Sequence, residues 1–363
     1  MWADELSLSP VMSALRERFG PMRLEERFAV SRRRDADMSY LEITTSTSVA
    51  WPPLPSAEDT IACLRARLSL VFGIGPVTEQ AMRSRETPVI DLAEFAGHER
   101  YGQAAQEILS DLDNRRLDAL LELIRTRMPG RGQLLATRLA GLADPSRVAV
   151  LDFETLGIFG NVIFLAGLAR FESGRLVVRQ FLADGYDDEP AMLRRVVNEL
   201  AGVELLLTYN GRTADVPWLT ARAVYHRLGR VRIPPHLDLL HASRQRYVRE
   251  LAVVPDARLP TIQQHVLGMR RPDPDVPGML IPLLYKEYRS FPAQLEGLLI
   301  PVLEHNRSDL EAVAALLGRL VSEPLGTLDE QDAPAGLGGL GGLGGLGGSC
   351  GPAGLGTAGL PGT

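Results

Sequence analysis

A chain of 363 residues can hold two domains, and 45% hydrophobic with 23% charged residues is the balance of an ordinary globular protein. A formal charge of -6 argues against coating nucleic acid by bulk charge, and two cysteines, Cys63 and Cys350, are too few for a disulfide framework or a cysteine zinc site. No apolar run reaches the roughly eighteen residues of a membrane span, and MWADELSLSP lacks the basic-then-apolar order of a signal peptide, so the expectation is a cytoplasmic protein with no membrane partner.

Residues 1–55 combine the charged Arg32-Arg33-Arg34-Asp35 with the turn-rich Trp51-Pro52-Pro53-Leu54-Pro55, and read as a poorly ordered or partly docked arm. Residues 56–145 read as helical. Ser56 and Asp59 have capping-box spacing, and Leu64, Leu68 and Val71 follow at helical intervals. Phe72-Gly73-Ile74-Gly75-Pro76 then makes a tight turn, with Pro76 at the first position of the next helix. The stretch from Leu68 to Met82 resembles a helix-hairpin-helix, in which Gly73, Gly75 and the following helix N-terminus would present backbone N–H groups to a nucleic-acid phosphate. Any corner between two helices can need such glycines, so the structural reading stays beside the functional one.

Residues 146–325 read as a mixed α/β domain. The apolar run from Val148 ends in Asp152 and Glu154, which share a face if the run is extended. Strands from Val162 to Arg170 and from Leu176 to Leu182, joined by Glu172-Ser173-Gly174, complete an antiparallel meander. A helix over 189–200, a strand over 204–208 and further alternation of helix and strand follow. After Leu325 glycine recurs every third residue from Gly336 to Gly354; the proline content is too low for collagen, and 326–363 reads as a disordered Gly-rich tail.

Adjacent acids at a strand end need a counter-charge, and carboxylate oxygens suit Mg2+ or Mn2+. Asp215 follows the strand Leu205 to Thr208 and the turn Tyr209-Asn210-Gly211, where α/β sheets place their sites, although an aspartate there can also simply cap a helix. His305 and Asp309, four apart, share one face of a helix expected to start with Pro301 at its first position. Asn210 and Asp238 admit a local turn or cap reading, and the prolines of Asp273-Pro274-Asp275-Val276-Pro277-Gly278 mark a rigid connection rather than a metal site. Between Arg212 and Arg249 eight arginines face two aspartates, a basic surface suited to phosphate or to plain solvation.

The ordered set of Asp152/Glu154, Asp215 and Asp309 resembles the DEDD group of metal-dependent 3′–5′ exonucleases on the ribonuclease H-like fold. The segments LDFETLG at 151–157, TYNGRTADVPWL at 208–219, HLDLLHASRQ at 236–245, LGMRRPDPDVPGMLIPLLYKEY at 267–288 and EHNRSDLEAV at 304–313 are most similar to the YprB-type branch, over about 146–322. The resemblance implies a ribonuclease H-like mixed sheet, a three-strand antiparallel meander plus parallel strands, flanked by helices and preceded by the small helical domain. It implies Asp152, Glu154, Asp215 and Asp309 as ligands of two ions, Mg2+ or Mn2+, that act on a phosphodiester. His305 is then the general base, its neutral imidazole taking a proton from the attacking water. His305 lies four residues before Asp309, against five in histidine-type DEDD enzymes, and Ala214 stands where phenylalanine is common. Thr155, Asn210 and Arg212, with Gly73 and Gly75, become candidate contacts to DNA or RNA at a 3′ end. A non-catalytic nucleic-acid-binding protein and an endonuclease on the same fold are the alternatives.

Overall fold

The structure, a computed structural model, describes residues 2–49, 53–157 and 162–325. The strands described are β1 (Ala29–Asp35), β2 (Met38–Ser46), β3 (Val148–Thr155), β4 (Ile163–Glu172), β5 (Arg175–Ala183), β6 (Leu205–Thr208) and β7 (His236–Asp238). They form one sheet in the order β1-β2-β5-β4-β3-β6-β7. Pairing is antiparallel from β1 through to β3, then parallel for β3–β6 and β6–β7. The expected meander is β3–β4–β5. Its second turn places Ser173 and Gly174 at φ 48° and 83°, the two positive values of the hairpin turn whose twist matches its strands.

Thirteen helices are described in chain order: α1 (Trp2–Phe19), α2 (Ala57–Arg65), α3 (Pro76–Arg83), α4 (Gly102–Asp113), α5 (Leu117–Arg127), α6 (Gln133–Arg138), α7 (Glu189–Leu200), α8 (Asp215–Tyr225), α9 (Leu239–Ser243), α10 (Leu259–His265), α11 (Ile281–Ser290), α12 (Pro292–Leu295) and α13 (Leu299–Ser322). The start signals at α2 and α3 act as expected. Ser56 Oγ accepts the Asp59 N–H at 3.0 Å, and Pro76 is the first residue of α3. Helix α13 begins two residues earlier than Pro301, at Leu299. No described helix is long and apolar enough to cross a membrane.

Both faces of the central sheet are covered, which explains the nearly unbroken apolar run of β3. Ala149, Leu151 and Phe153 pack with Leu193 and Val196 of α7 and Leu219 of α8. Val148 and Val150 face the other way, toward Leu310, Val313 and Leu317 of α13. Residues 152 and 154 continue that second face, so strand periodicity alone aims both acids at α13.

The expectation of a poorly ordered arm over 1–55 is corrected. Leu15 and Phe19 of α1 are buried against Tyr285 of α11 and Leu299 of α13, and the β1–β2 hairpin adds two strands to the edge of β5. The arginines that suggested disorder belong to an edge strand: Arg32, Arg33 and Arg34 lie on the outermost β1, where charge discourages pairing with another chain. The division at 145/146 also differs. Leu64, Leu92 and Leu120 of the helical region share one buried cluster with Val148, Val150 and Leu205 of the sheet, so residues up to Leu325 pack as one unit. The Gly-rich tail lies outside the described residues.

Candidate active site

Strand β6 pairs with β3 only over Val148–Val150, which leaves the later N–H groups of β3 without a strand partner on that side. Asp215 uses this opening. Its Oδ1 accepts the Phe153 N–H at 3.1 Å, so a carboxylate that could merely have capped α8 is fastened between Asp152 and Glu154. The turn that delivers it is tightly specified. Asn210 has φ 67°, and a Cβ on Gly211 would lie 2.4 Å from Thr208 Oγ1. Buried Asp238 secures the same turn: Oδ1 accepts the N–H of Asn210 at 2.8 Å and of Leu240 at 3.1 Å, while Oδ2 accepts that of Arg212 at 3.1 Å. Asp238 is therefore a turn and cap residue. Asn210 Oδ1 accepts from Thr213 Oγ1 at 2.8 Å, an Asx-type closure, and the Arg212 side chain is exposed. Thr155 Oγ1 donates to the Gly157 carbonyl at 2.7 Å just past the strand.

Helix α13 brings His305, Asn306 and Asp309 over β3. Asn306, which the sequence marks only as the neighbour of His305, is fully buried; its Nδ2 donates to Asp152 Oδ2 at 2.7 Å, and its Oδ1 accepts from Gln180 Nε2 at 2.9 Å. The approach needs Gly167, which lies opposite Asp152 on β4 and whose added Cβ would stand 2.2 Å from Asn306 Oδ1.

The loop before α11 supplies what the sequence did not disclose. Arg271 Nη1 donates to Asp309 Oδ1 at 2.7 Å and to Gln263 Oε1 at 2.6 Å, and Nε donates to Asp275 Oδ2 at 2.7 Å. Gln263 Nε2 in turn donates to Ser308 Oγ at 2.8 Å. His305 lies within this net, with Nδ1 3.1 Å from Arg271 Nη2 and 3.5 Å from Asp275 Oδ1, and Nε2 3.5 Å from Asp309 Oδ2. Arginine can only donate, so its bond to Nδ1 requires that nitrogen bare, whereas pairing with Asp275 requires it protonated. The two partners thus select different forms of the ring. The spacing of Arg271 and Asp275, one helical turn apart in a proline-rich loop, carries no signal for this contact.

The electrostatics follow from crowding. Burial, then the charges of Glu154, Asp215 and Asp309, hold the Asp152 carboxyl well above the usual range, with the Asn306 bond opposing. Burial pushes Glu154 up to about 7, against the pull of His305, and pushes Asp215 up to about 7 against its backbone bonds. For His305, burial disfavours the imidazolium, yet the Asp275 contact and the charges of Asp309 and Glu154 outweigh it and raise the ring's pKa. The Glu154 carboxylate has no hydrogen-bond or ion-pair partner among the described residues. Crowded carboxylates of this kind, short of counter-charge and rich in oxygen donors, have the chemistry that hard divalent cations take. No three such side chains among the described residues close on a single point as they stand, and Asp309 is turned to Arg271. The donor set fits a divalent ion; its fourth member must first release a guanidinium.

Gly73 and Gly75 sit apart from the acids, in the helical region. Gly73 has φ 87°, Gly75 is the N-cap of α3, and buried Glu79 ties α3 back to the N–H groups of Leu68 and Ser69 at 3.3 and 3.0 Å. The hairpin leaves Phe72 and Val77 about four-fifths exposed.

The segment that carries the acids is similar to known proteins. Residues 149–321 match the model of the RNase_H superfamily. The uncharacterized protein YprB of Bacillus subtilis (strain 168) is 35% identical over 191 residues, which cover 50% of this chain and 43% of that protein, so the chain spans less than half the length of this relative.

Proposed function

Because the chain belongs, over residues 149–321, to a YprB-type branch of the ribonuclease H-like superfamily, we propose that it is a nuclease that hydrolyses phosphodiester bonds with two divalent ions, Mg2+ or Mn2+, as a 3′–5′ exonuclease. The observation that carries this reading is the bond from Asp215 to the backbone N–H of Phe153, which fixes a third carboxylate between Asp152 and Glu154. Asp152, Glu154, Asp215 and Asp309 would hold the ions. When bound, such ions polarise the scissile phosphate and favour both attacking and leaving oxygens.

The remaining steps fall to the chain itself. Asn306 orients Asp152 through Nδ2, and Asp215 is held by the strand rather than by a mobile loop. His305 Nε2 lies 3.5 Å from Asp309 Oδ2, and its imidazole would take the proton of an attacking water. Arg271, released from Asp309, carries a planar fork suited to the phosphate. The nucleic acid, DNA or RNA, would present its 3′ end here. Thr155, Asn210 and Arg212 would contact it, and the hairpin of Gly73 and Gly75 would add a grip on backbone phosphate.

The test is hydrolysis of end-labelled single- and double-stranded DNA and RNA, with Mn2+ or Mg2+ and with EDTA. Stepwise shortening from the 3′ end that vanishes in EDTA and in Asp152→Ala is expected; intact substrates, or full activity in Asp152→Ala, would overturn the proposal. The pairing of Asp309 with Arg271 favours one second reading, a fold that binds nucleic acid without cutting it. That reading requires binding with no hydrolysis under any metal.

A further inference from the structure

A groove of about 1220 Å³ lies at the opposite end of the sheet from the acids. Its rim is set by strand starts. Arg147 immediately precedes β3, Glu204 precedes β6, and His236 opens β7, whereas Asp152 and Glu154 stand near the end of β3. Seven residues separate Arg147 from Glu154, roughly 23 Å of extended chain. The other wall is the turn between α4 and α5, around Arg115 and Arg116.

The charge of this groove is not balanced locally. Arg147 is paired with Glu204 at 2.6 Å and Arg116 with Asp111 at 3.1 Å. Arg125 spends Nη2 on the His236 carbonyl at 2.6 Å and approaches Glu122 at 3.7 Å. Arg115, Arg230 and Arg232, exposed on the same groove, have no side-chain partner among the described residues. Burial lowers the pKa of Arg125, and the like charge of Arg212 lowers it further, as expected where cations are gathered. Asp118 and Asp144 share the lining, so in a chain whose formal charge is -6 this concavity still carries six arginines against three acids, Asp118, Asp144 and Glu204, a locally positive balance.

The lining has no Phe, Tyr or Trp, so no platform for stacking an unpaired base. Guanidinium forks without stacking partners suit phosphate oxygens read independently of sequence. We propose that this groove, lined by Arg115, Arg230 and Arg232, binds the sugar-phosphate backbone of a nucleic-acid duplex, as a second site distinct from the acid cluster. The proposal rests on the nuclease reading for the class of its ligand. A duplex reaching from groove to acids would span about seven base-pair steps at ~3.4 Å each.

The test is fluorescence anisotropy of a labelled 20-base-pair DNA duplex with the full chain in EDTA, where no hydrolysis occurs, over a series of salt concentrations. Arg230→Glu/Arg232→Glu should weaken binding at least tenfold and flatten the plot of log affinity against log salt by roughly 2, the share of two phosphate contacts. Arg34→Glu/Arg175→Glu, the same charge change on exposed sheet positions, should bind like the wild type, and both pairs should keep the wild-type melting temperature. Equal weakening by both pairs, wild-type binding by the groove variant, or no duplex binding by the wild type would overturn the groove. The two readings fail separately. Metal-dependent hydrolysis with groove-independent binding sinks the groove alone, and groove-dependent binding with no hydrolysis sinks the nuclease alone.

Discussion

Arg271 Nη1 stands 2.7 Å from Asp309 Oδ1, so the carboxylate expected to receive a divalent ion is held by a cation of the chain's own. The guanidinium is also fastened to Asp275 and Gln263, which makes it a counter-ion built into the fold rather than a passing surface charge.

Replacing it separates two effects. In Arg271→Met the metal-free protein should lose roughly 3–5 kcal/mol, the usual cost of leaving one partner of a part-buried pair uncompensated. Asp309 is then free, so the stabilisation on adding Mn2+ should exceed that of the wild type, because a ligand that binds only the folded state stabilises it by an amount that grows with the logarithm of its affinity. Thermal melts with and without Mn2+ check this. An unchanged metal increment would show that Arg271 and the ion do not compete.

The raised carboxyls make the metal-free protein sensitive to pH in a set direction. Glu154 and Asp215 titrate at about 7 when folded, well above ordinary carboxylates, so their protonated forms favour folding and that advantage is lost as pH rises from about 4 through 7. His236, pushed by burial to about 4, acts oppositely: its contribution is present above 6.5 and is lost as pH falls toward 4. Urea denaturation in EDTA at pH 5.5 and 8 should therefore show the wild type less stable at pH 8, by on the order of 1–3 kcal/mol. Glu154→Gln should narrow the difference. A wild type equally stable at both values would contradict the crowding described for the acids.

The acids were legible because their positions follow from periodicity and connection. Strand alternation placed Asp152 and Glu154 on one face, and a strand-turn-helix placed Asp215. Asn306 and Arg271 were not legible for a different reason. Asn306 matters only because Gly167, 139 residues earlier, leaves room beside Asp152, and Arg271 only because a proline-rich loop folds back onto α13. The arm was misjudged on the same grounds. Arg32 to Arg34 look unfit for a core, and they are outside one, on an edge strand whose neighbour β2 carries the buried Leu41 and Ile43.

Gly167 gives a direct test of that long-range fit. A methyl group at this position would meet Asn306 Oδ1 at 2.2 Å, far inside contact distance, with Leu310 Cδ1 at 2.6 Å closing the other side. Gly167→Ala should cost about 1–3 kcal/mol through overpacking and should lower metal-dependent hydrolysis as Asn306 leaves Asp152. Denaturation and turnover measured on the same preparation check both. A variant with wild-type stability would mean that α13 yields more easily than its packing indicates.

His305 and Asp309 lie on the same helical face, and their roles separate under substitution. If His305 takes the proton of the attacking water, His305→Ala should reduce kcat by about 10²–10⁴ while leaving the melting-temperature rise on Mn2+ addition largely intact. Asp309→Ala, which removes a proposed ligand, should diminish both the activity and that rise. The pairing of His305 Nε2 with Asp309 Oδ2 at 3.5 Å sharpens the comparison, because a histidine that served only to position Asp309 would lose metal stabilisation along with activity. Loss of the Mn2+ shift in His305→Ala would therefore reassign the ring from proton transfer to holding the carboxylate.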